Sequence, residues 1–113
     1  MRRIVDTADL GRTARKGRTA VLFHATWCPF CRAFRPSFEA AVADMPGVVA
    51  AEAILDDEDD PMWLDWSVDV VPTVVLFQDG HVAARLDGEE GLGLIEADLR
   101  VALAREFGAA GPT

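Results

Sequence analysis

Short apolar runs alternate with amphipathic stretches along this chain, and the alternation predicts an α/β fold. The predicted strands are short and bounded by turn residues, and they cover residues 4–5, 19–25, 48–55, 70–77 and 81–86. The predicted helices carry apolar residues at helical spacing and cover residues 7–16, 28–45, 61–67 and 90–107. The run at 19–25 is apolar along most of its length, which is typical of a central strand covered on both faces.

Helical spacing is clearest in the stretch that begins at Cys28. Its apolar residues fall at Phe30, Phe34, Phe38, Ala41, Val42 and Met45. Pro36 lies inside this pattern, so we expect a kink there, because proline has no N–H to donate. Pro46-Gly47 ends the helix. Further along, Asp79-Gly80 between two predicted strands indicates a tight β-hairpin.

Composition and charge narrow the class of protein. The 113 residues predict a single domain, residues 1–113, and 50% of them are hydrophobic, as in globular proteins. The net charge of −8 argues against nucleic acid as a partner. The densest acidic run, residues 56–60, is predicted to be a solvated loop. A calcium site is the alternative, but the run lacks the glycine-containing loop of an EF-hand.

We expect this sequence to carry neither a membrane-spanning segment nor a secretory signal. No apolar run approaches the roughly 20 residues that a membrane span needs. Arg2 and Arg3 are followed by Ile4-Val5-Asp6, without the apolar stretch of a secretory signal. We therefore expect a cytoplasmic protein with no membrane partner.

The two cysteines, Cys28 and Cys31, are candidate catalytic residues. A pair so close together cannot staple distant parts of a fold, and it supplies only two of the four ligands of a structural zinc site. A strand ends at Ala25 and a helix begins near Cys28, where free backbone N–H groups favour a thiolate. Pro29 suits an early helical position, since its missing N–H costs nothing there. We expect neither a metal nor another cofactor.

Helical geometry also places Cys31 on the same face as Cys28, near enough to form a disulfide with it. The spacing therefore predicts thiol–disulfide exchange, in which Cys28 attacks a substrate disulfide and Cys31 resolves the mixed disulfide.

From about residue 4 to about residue 107 the sequence resembles the thioredoxin family. The resemblance is carried by several motifs in the family's order, namely Trp27 to Cys31, Pro36, Val71-Pro72-Thr73, Asp79-Gly80 and Gly88. It implies the thioredoxin fold, a central mixed sheet of four to five strands with helices on both faces. It also implies a protein disulfide oxidoreductase that takes part in electron transport, and most often such a protein is a reductase.

The resemblance implies a binding surface around the cysteine pair. Pro72 would be cis and would pack beside the thiols, where it denies them to a metal. The backbone of Val71 would then bind an extended substrate chain. Trp27, Pro29 and Phe30 would contact the substrate next to Cys28. The implied partners are protein disulfides and an electron donor, either a reductase or glutathione, and the protein is expected to be a monomer.

One departure from the family concerns the second cysteine. Thioredoxins carry a buried aspartate six residues before the first cysteine, and Leu22 stands at that position here. Glu52 or Ala53 replaces the lysine that usually pairs with it. A Glu52 that faced inward would be a substitute base, but we expect it to face solvent. His24, in the strand before the motif, is expected to be a satisfied structural histidine; the alternative is a pH-dependent effect on Cys28.

The second departure lies between the cysteines, where Pro29-Phe30 replaces the family's Gly-Pro. A proline followed by an aromatic residue is the arrangement of glutaredoxins, so a glutathione-dependent oxidoreductase is an alternative function. A dimer in which two cysteine pairs share a metal is another. One or both of Trp63 and Trp66 are expected to be core residues, with a partner surface as the alternative.

Overall fold

A computed structural model describes residues 1–108, which form a five-stranded sheet with helices on both faces. In chain order the elements are β1 (Arg2–Ile4), α1 (Thr7–Ala14), β2 (Arg18–His24), α2 (Pro29–Ala43), β3 (Val48–Ile54), α3 (Met62–Asp65), β4 (Thr73–Gln78), β5 (His81–Leu86) and α4 (Glu96–Glu106). The last five residues of the predicted domain, 109–113, lie outside the described part. The predicted mixed sheet is confirmed.

The strands are ordered β1-β3-β2-β4-β5, which puts β2 at the centre. β1 and β2 both pair with β3 in parallel, whereas β4 runs antiparallel to β2 and to β5. Asp79 and Gly80 form the predicted hairpin turn, and both have positive φ angles, 50° and 85°.

Each face of β2 has its own hydrophobic core. Ala20 and Leu22 point into the core that contains α2 and α4, and Val21 and Phe23 point into the core that contains α1. All four side chains are fully buried. The apolar run of β2 is therefore explained by cover on both sides, as the sequence predicted.

Helix α2 is one continuous element through Pro36. Its buried side chains include Phe34 and Phe38, which pack against the sheet and α4. The missing N–H of Pro36 leaves one helical hydrogen bond unmade, but burial of this aromatic face holds the helix together.

The closing helix is shorter than predicted. The apolar spacing predicts a helix over 90–107, but α4 begins at Glu96. Gly91 and Gly93 have φ angles of 78° and 76°, and Glu89 and Gly93 exchange two backbone hydrogen bonds in a tight turn. The left-handed backbone of this turn is incompatible with a helix.

Within residues 1–108, none of the helices is both long enough and apolar enough to cross a bilayer.

Strand β4 starts at Thr73, later than the predicted residue 70. Val71 and Pro72 therefore lie just before the strand, and their backbone is not part of it.

Replacing Phe38 by alanine should destabilise the protein by about 3–5 kcal/mol, because the ring is fully buried between the sheet and α4. Urea unfolding followed by circular dichroism measures the loss. Val101→Ala is the matched control, since Val101 lies on α4 with 56% of its surface exposed and its truncation should change stability by less than about 0.5 kcal/mol. Equal losses in the two variants would contradict this description of the core.

Candidate active site

The two cysteines lie at the start of α2 and differ sharply in exposure. Cys28 is the N-cap residue, and its sulfur accepts a hydrogen bond of 3.2 Å from the backbone N–H of Cys31. Cys28 lies at the surface of a groove with 6% of its area exposed, whereas Cys31 is fully buried. Both are free thiols. A backbone N–H of the helix start thus donates to the outer sulfur, where it favours negative charge.

Burial makes Cys31 a weak acid. Loss of solvation raises the pKa of its thiol to about 12, and the neighbouring Cys28 acts in the same direction. Cys31 is therefore protonated at neutral pH, and Cys28 is the sulfur available for attack. The predicted roles of the two residues remain predictions, which the experiments on Cys28 and Cys31 below would test.

The segment before β4 closes over the outer sulfur. The thiol of Cys28 lies 3.7 Å from the carbonyl oxygen of Val71, and the Val71–Pro72 peptide bond is cis. Thr73, which is fully buried, donates from its hydroxyl to the Val70 carbonyl at 2.6 Å and accepts from the N–H of Gly88 at 3.3 Å. These bonds join the segment to the loop after β5.

Gly88 has no room for a side chain. A Cβ atom built at this position would lie 2.2 Å from the carbonyl oxygen of Pro72. Backbone atoms cannot give way as a flexible side chain can, so the approach of the two loops requires glycine here.

An open groove of about 350 Å³ runs beside the outer sulfur. It is formed by residues from four parts of the chain, namely Trp27, Cys28, Trp63, Asp69, Val70, Val71 and Glu90. Trp27 is 57% exposed, and its indole N–H donates to the carbonyl of Asp56 at 3.4 Å. The indole of Trp63 donates to the carbonyl of Asp57 at 2.9 Å. The acidic loop thus holds both tryptophans of the groove in position.

The other two predicted contact residues, Pro29 and Phe30, are not among the residues that line this groove. Pro29 is exposed in the first turn of α2. Phe30 is 43% exposed and packs on Gly93, where an added Cβ atom would lie 3.1 Å from the Cβ of Phe30. Trp66 packs edge-on against Phe77 with ring centroids 5.6 Å apart, as expected of a core residue. Trp63 is half-buried, with one part in the core and another in the groove.

The expectation that Glu52 faces solvent is wrong. Its side chain is 9% exposed and forms an ion pair with Arg35, with Arg35 nitrogens 2.9 Å from both carboxylate oxygens. His24 completes the cluster, with Nε2 2.8 Å from Oε1 of Glu52. Glu52 lies in the buried part of β3, where an ionised carboxylate needs charged or hydrogen-bonding partners.

This cluster answers the question about a substitute base. Arg35 above all, with His24, lowers the pKa of Glu52 to about 2. A carboxylate so acidic cannot take a proton from a thiol near neutral pH. Leu22, which pairs in register with Glu52, is fully buried and apolar. Neither residue therefore replaces the proton acceptor of the family.

Sequence reasoning missed three residues of this region, Arg35, Asp69 and Glu90. Arg35 follows Cys31 by one helical turn, and that spacing was a usable signal that it lies on the same side of α2. Asp69 and Glu90 stand in loops, and no local pattern marks them. Their position beside Cys28 depends on how two loops approach each other in space.

Comparisons with known proteins agree with the fold and show the family. The thioredoxin family model matches residues 10–100. The chain is 31% identical over 88 residues to a thioredoxin of Chlamydia pneumoniae, which covers 78% of this chain and 85% of that one. It is 37% identical over 79 residues to a mitochondrial thioredoxin of Bos taurus, covering 69% of this chain and 47% of that protein. The structure of Fasciola hepatica thioredoxin superposes with a TM-score of 0.79 and 31% identity, covering 94% of this chain and 99% of the other.

Gly88→Ala should abolish most of the disulfide exchange activity, because the added methyl group forces the loop after β5 away from Pro72 and the groove. Exchange rates and thermal unfolding of the variant measure the effect. Gly11→Ala is the control: nothing lies within 4 Å of an added Cβ in α1, so activity should stay normal and stability should rise by up to about 1 kcal/mol. A fully active Gly88→Ala protein would contradict the close approach.

The Glu52 cluster should make stability depend on acid pH. Because the pKa is lowered from 4.5 to about 2, ionised Glu52 stabilises the fold fully above pH 4.5, and this contribution is lost as the pH falls toward 2. The shift corresponds to roughly 3 kcal/mol. Urea unfolding of wild type and Glu52→Gln should show a gap in the free energy of unfolding at neutral pH that shrinks in acid.

Glu58→Gln is the control for this measurement, since Glu58 is exposed in the acidic loop. It should leave the pH profile of stability unchanged. A gap between wild type and Glu52→Gln that is constant from neutral to acid pH would show that the cluster contributes by packing and not by charge.

Proposed function

The chain belongs to the thioredoxin family and is a thiol–disulfide oxidoreductase, and on this premise we propose that it reduces protein disulfides, with Cys28 as the nucleophile and Cys31 as the resolving thiol. The observation that carries the proposal is the difference between the two sulfurs. Cys28 lies at the groove and accepts the N–H of Cys31, whereas Cys31 is fully covered and keeps its proton.

The first step is attack on the substrate. The Cys28 thiolate attacks one sulfur of a protein disulfide, a Cys28–substrate bond forms, and the other substrate sulfur leaves as a thiolate. The N–H of Cys31 and the helix start stabilise Cys28 before the attack. The exposed face of Trp27 and the Val71 backbone bind the chain on either side of the attacked cysteine.

The second step is release. Cys31 attacks the sulfur of Cys28, the Cys28–Cys31 disulfide forms, and the second substrate sulfur leaves. Before this attack the proton of Cys31 passes to the substrate thiolate that left in the first step, so Cys31 attacks as a thiolate. No carboxylate is needed at Leu22 for this transfer. Two electrons have then moved to the substrate, and a reductase returns two electrons to the Cys28–Cys31 disulfide.

We propose a protein reductase, and not glutathione, as the electron donor. Glutathione carries more negative than positive charge, and a site for it needs cationic groups. The groove lining, taken over residues 1–108, holds Asp69 and Glu90 and neither lysine nor arginine. A cycle that depends on free thiols also places the protein in a reducing compartment, and we propose the cytoplasm.

The protein is proposed to act as a monomer, because one chain supplies both cysteines, the Val71 segment and the groove. Complete burial of Cys31 also argues against a metal shared between two cysteine pairs, since an outside ion would meet only Cys28. Zinc or iron in the protein as purified would revive that alternative.

Cys28→Ser should abolish reduction of a protein disulfide, whereas Cys31→Ser should stop after the first step and accumulate a mixed disulfide with its substrate. Mass spectrometry of the trapped adduct identifies the attacking sulfur. Trapping through Cys31 in the Cys28→Ser protein would reverse the assigned roles. Faster turnover of a small glutathione mixed disulfide than of protein disulfides would instead favour the glutathione-dependent alternative.

A further inference from the structure

The groove beside Cys28 has an acidic rim. Asp69 stands just before Val70 and Val71, and Glu90 reaches the groove from the loop after β5. Both residues are exposed. They come from parts of the chain about twenty residues apart, and the approach of Gly88 to Pro72 brings those parts together.

The acidic loop adds negative charge at the same place. Its backbone carbonyls hold the indoles of Trp27 and Trp63, so the run at 56–60 lies against the two aromatic residues of the groove. Asp57, Glu58 and Asp59 are exposed. The sequence predicted only a solvated loop for residues 56–60. In the structure this loop also contributes negative electrostatic potential at the binding surface.

The rim carboxylates differ from some other surface acids in their partners. Asp87 pairs with Arg85, and Asp44 and Glu96 pair with Arg100. In the part of the chain that the structure describes, Asp69 and Glu90 are absent from every ion pair. Their charge is thus available to a bound partner.

We infer that this rim selects protein disulfides whose attacked cysteine has a lysine or arginine beside it. The occupant is an extended substrate segment on the Val71 side of Cys28, so the inference rests on the proposed function. Its basic side chain approaches Asp69 or Glu90 as the two sulfurs meet. Opposite charges at such a site raise the rate of productive encounter, and salt weakens the effect.

The test uses three substrates, each made of two peptides joined by a disulfide. They differ only in the residues that flank the cysteine, which are arginine in the first, serine in the second and glutamate in the third. A fluorophore and quencher report cleavage, and a small dithiol regenerates the enzyme. At low salt, kcat/KM should be about tenfold higher for the arginine peptide than for the glutamate peptide, since each exposed pair contributes up to about fivefold. The difference should shrink at high salt.

The double variant Asp69→Asn, Glu90→Gln should reduce this preference to about twofold, because the charges that distinguish the arginine peptide from the glutamate peptide are removed. Glu106→Gln, at the C-terminal end of α4, removes one negative charge outside the groove and should keep the full preference.

Three results would overturn the inference: equal rates for the three peptides, an unchanged preference in the double variant, or an equal loss of preference in Glu106→Gln. The last would assign the selection to overall charge. Failure of wild type to reduce even the serine peptide would contradict the proposed function itself, which separates the two proposals.

Discussion

Strand β2 is hydrogen-bonded along both edges and covered on both faces, and the geometry of the active site depends on this constraint. Because β4 runs antiparallel to β2, its first residue, Thr73, pairs with Phe23 near the end of β2. The end of one strand and the start of the other therefore meet. Cys28, a few residues beyond β2, and Val71, just before β4, come within 3.7 Å of each other for this reason.

The same central position gives the two cysteines different chemistry. Cys28 caps α2 at the surface of the groove, where its sulfur faces backbone N–H groups, and Cys31 is one turn further into the interior. A single helical turn thus separates a site that stabilises a thiolate from one that opposes it. The proposed order of the exchange reaction rests on burial and helix geometry and needs no further side chain.

Local sequence pattern was a good guide where local forces dominate. The hairpin at Asp79-Gly80 and the start of α2 at Cys28 were predictable because turn backbone and free N–H groups are properties of a few adjacent residues. The start of α4 was misjudged, since Leu92 fits a helical pattern although Gly91 and Gly93 form a left-handed turn. Apolar spacing says nothing about backbone handedness.

Glu52 shows where such reasoning ends. A glutamate in a strand is normally exposed, and Arg35 from α2 and His24 from β2 make the burial of Glu52 possible. The ion pair with Arg35 makes Glu52 too acidic to serve as a base for Cys31. One tertiary contact thus excludes a mechanism that the sequence had left open. Tertiary contacts also decide the charges of the groove. Asp69 and Glu90 belong to two loops that approach each other closely only because Gly88 has no side chain.

By itself, the sequence determined the α/β order of elements, the reactive cysteine pair and the motifs of the thioredoxin family, since each is written in neighbouring residues. The tertiary structure alone decided which charges surround that pair. Charges interact through space, and the distances between Glu52 and Arg35, or between Asp69, Glu90 and Cys28, are set by packing and not by separation along the chain.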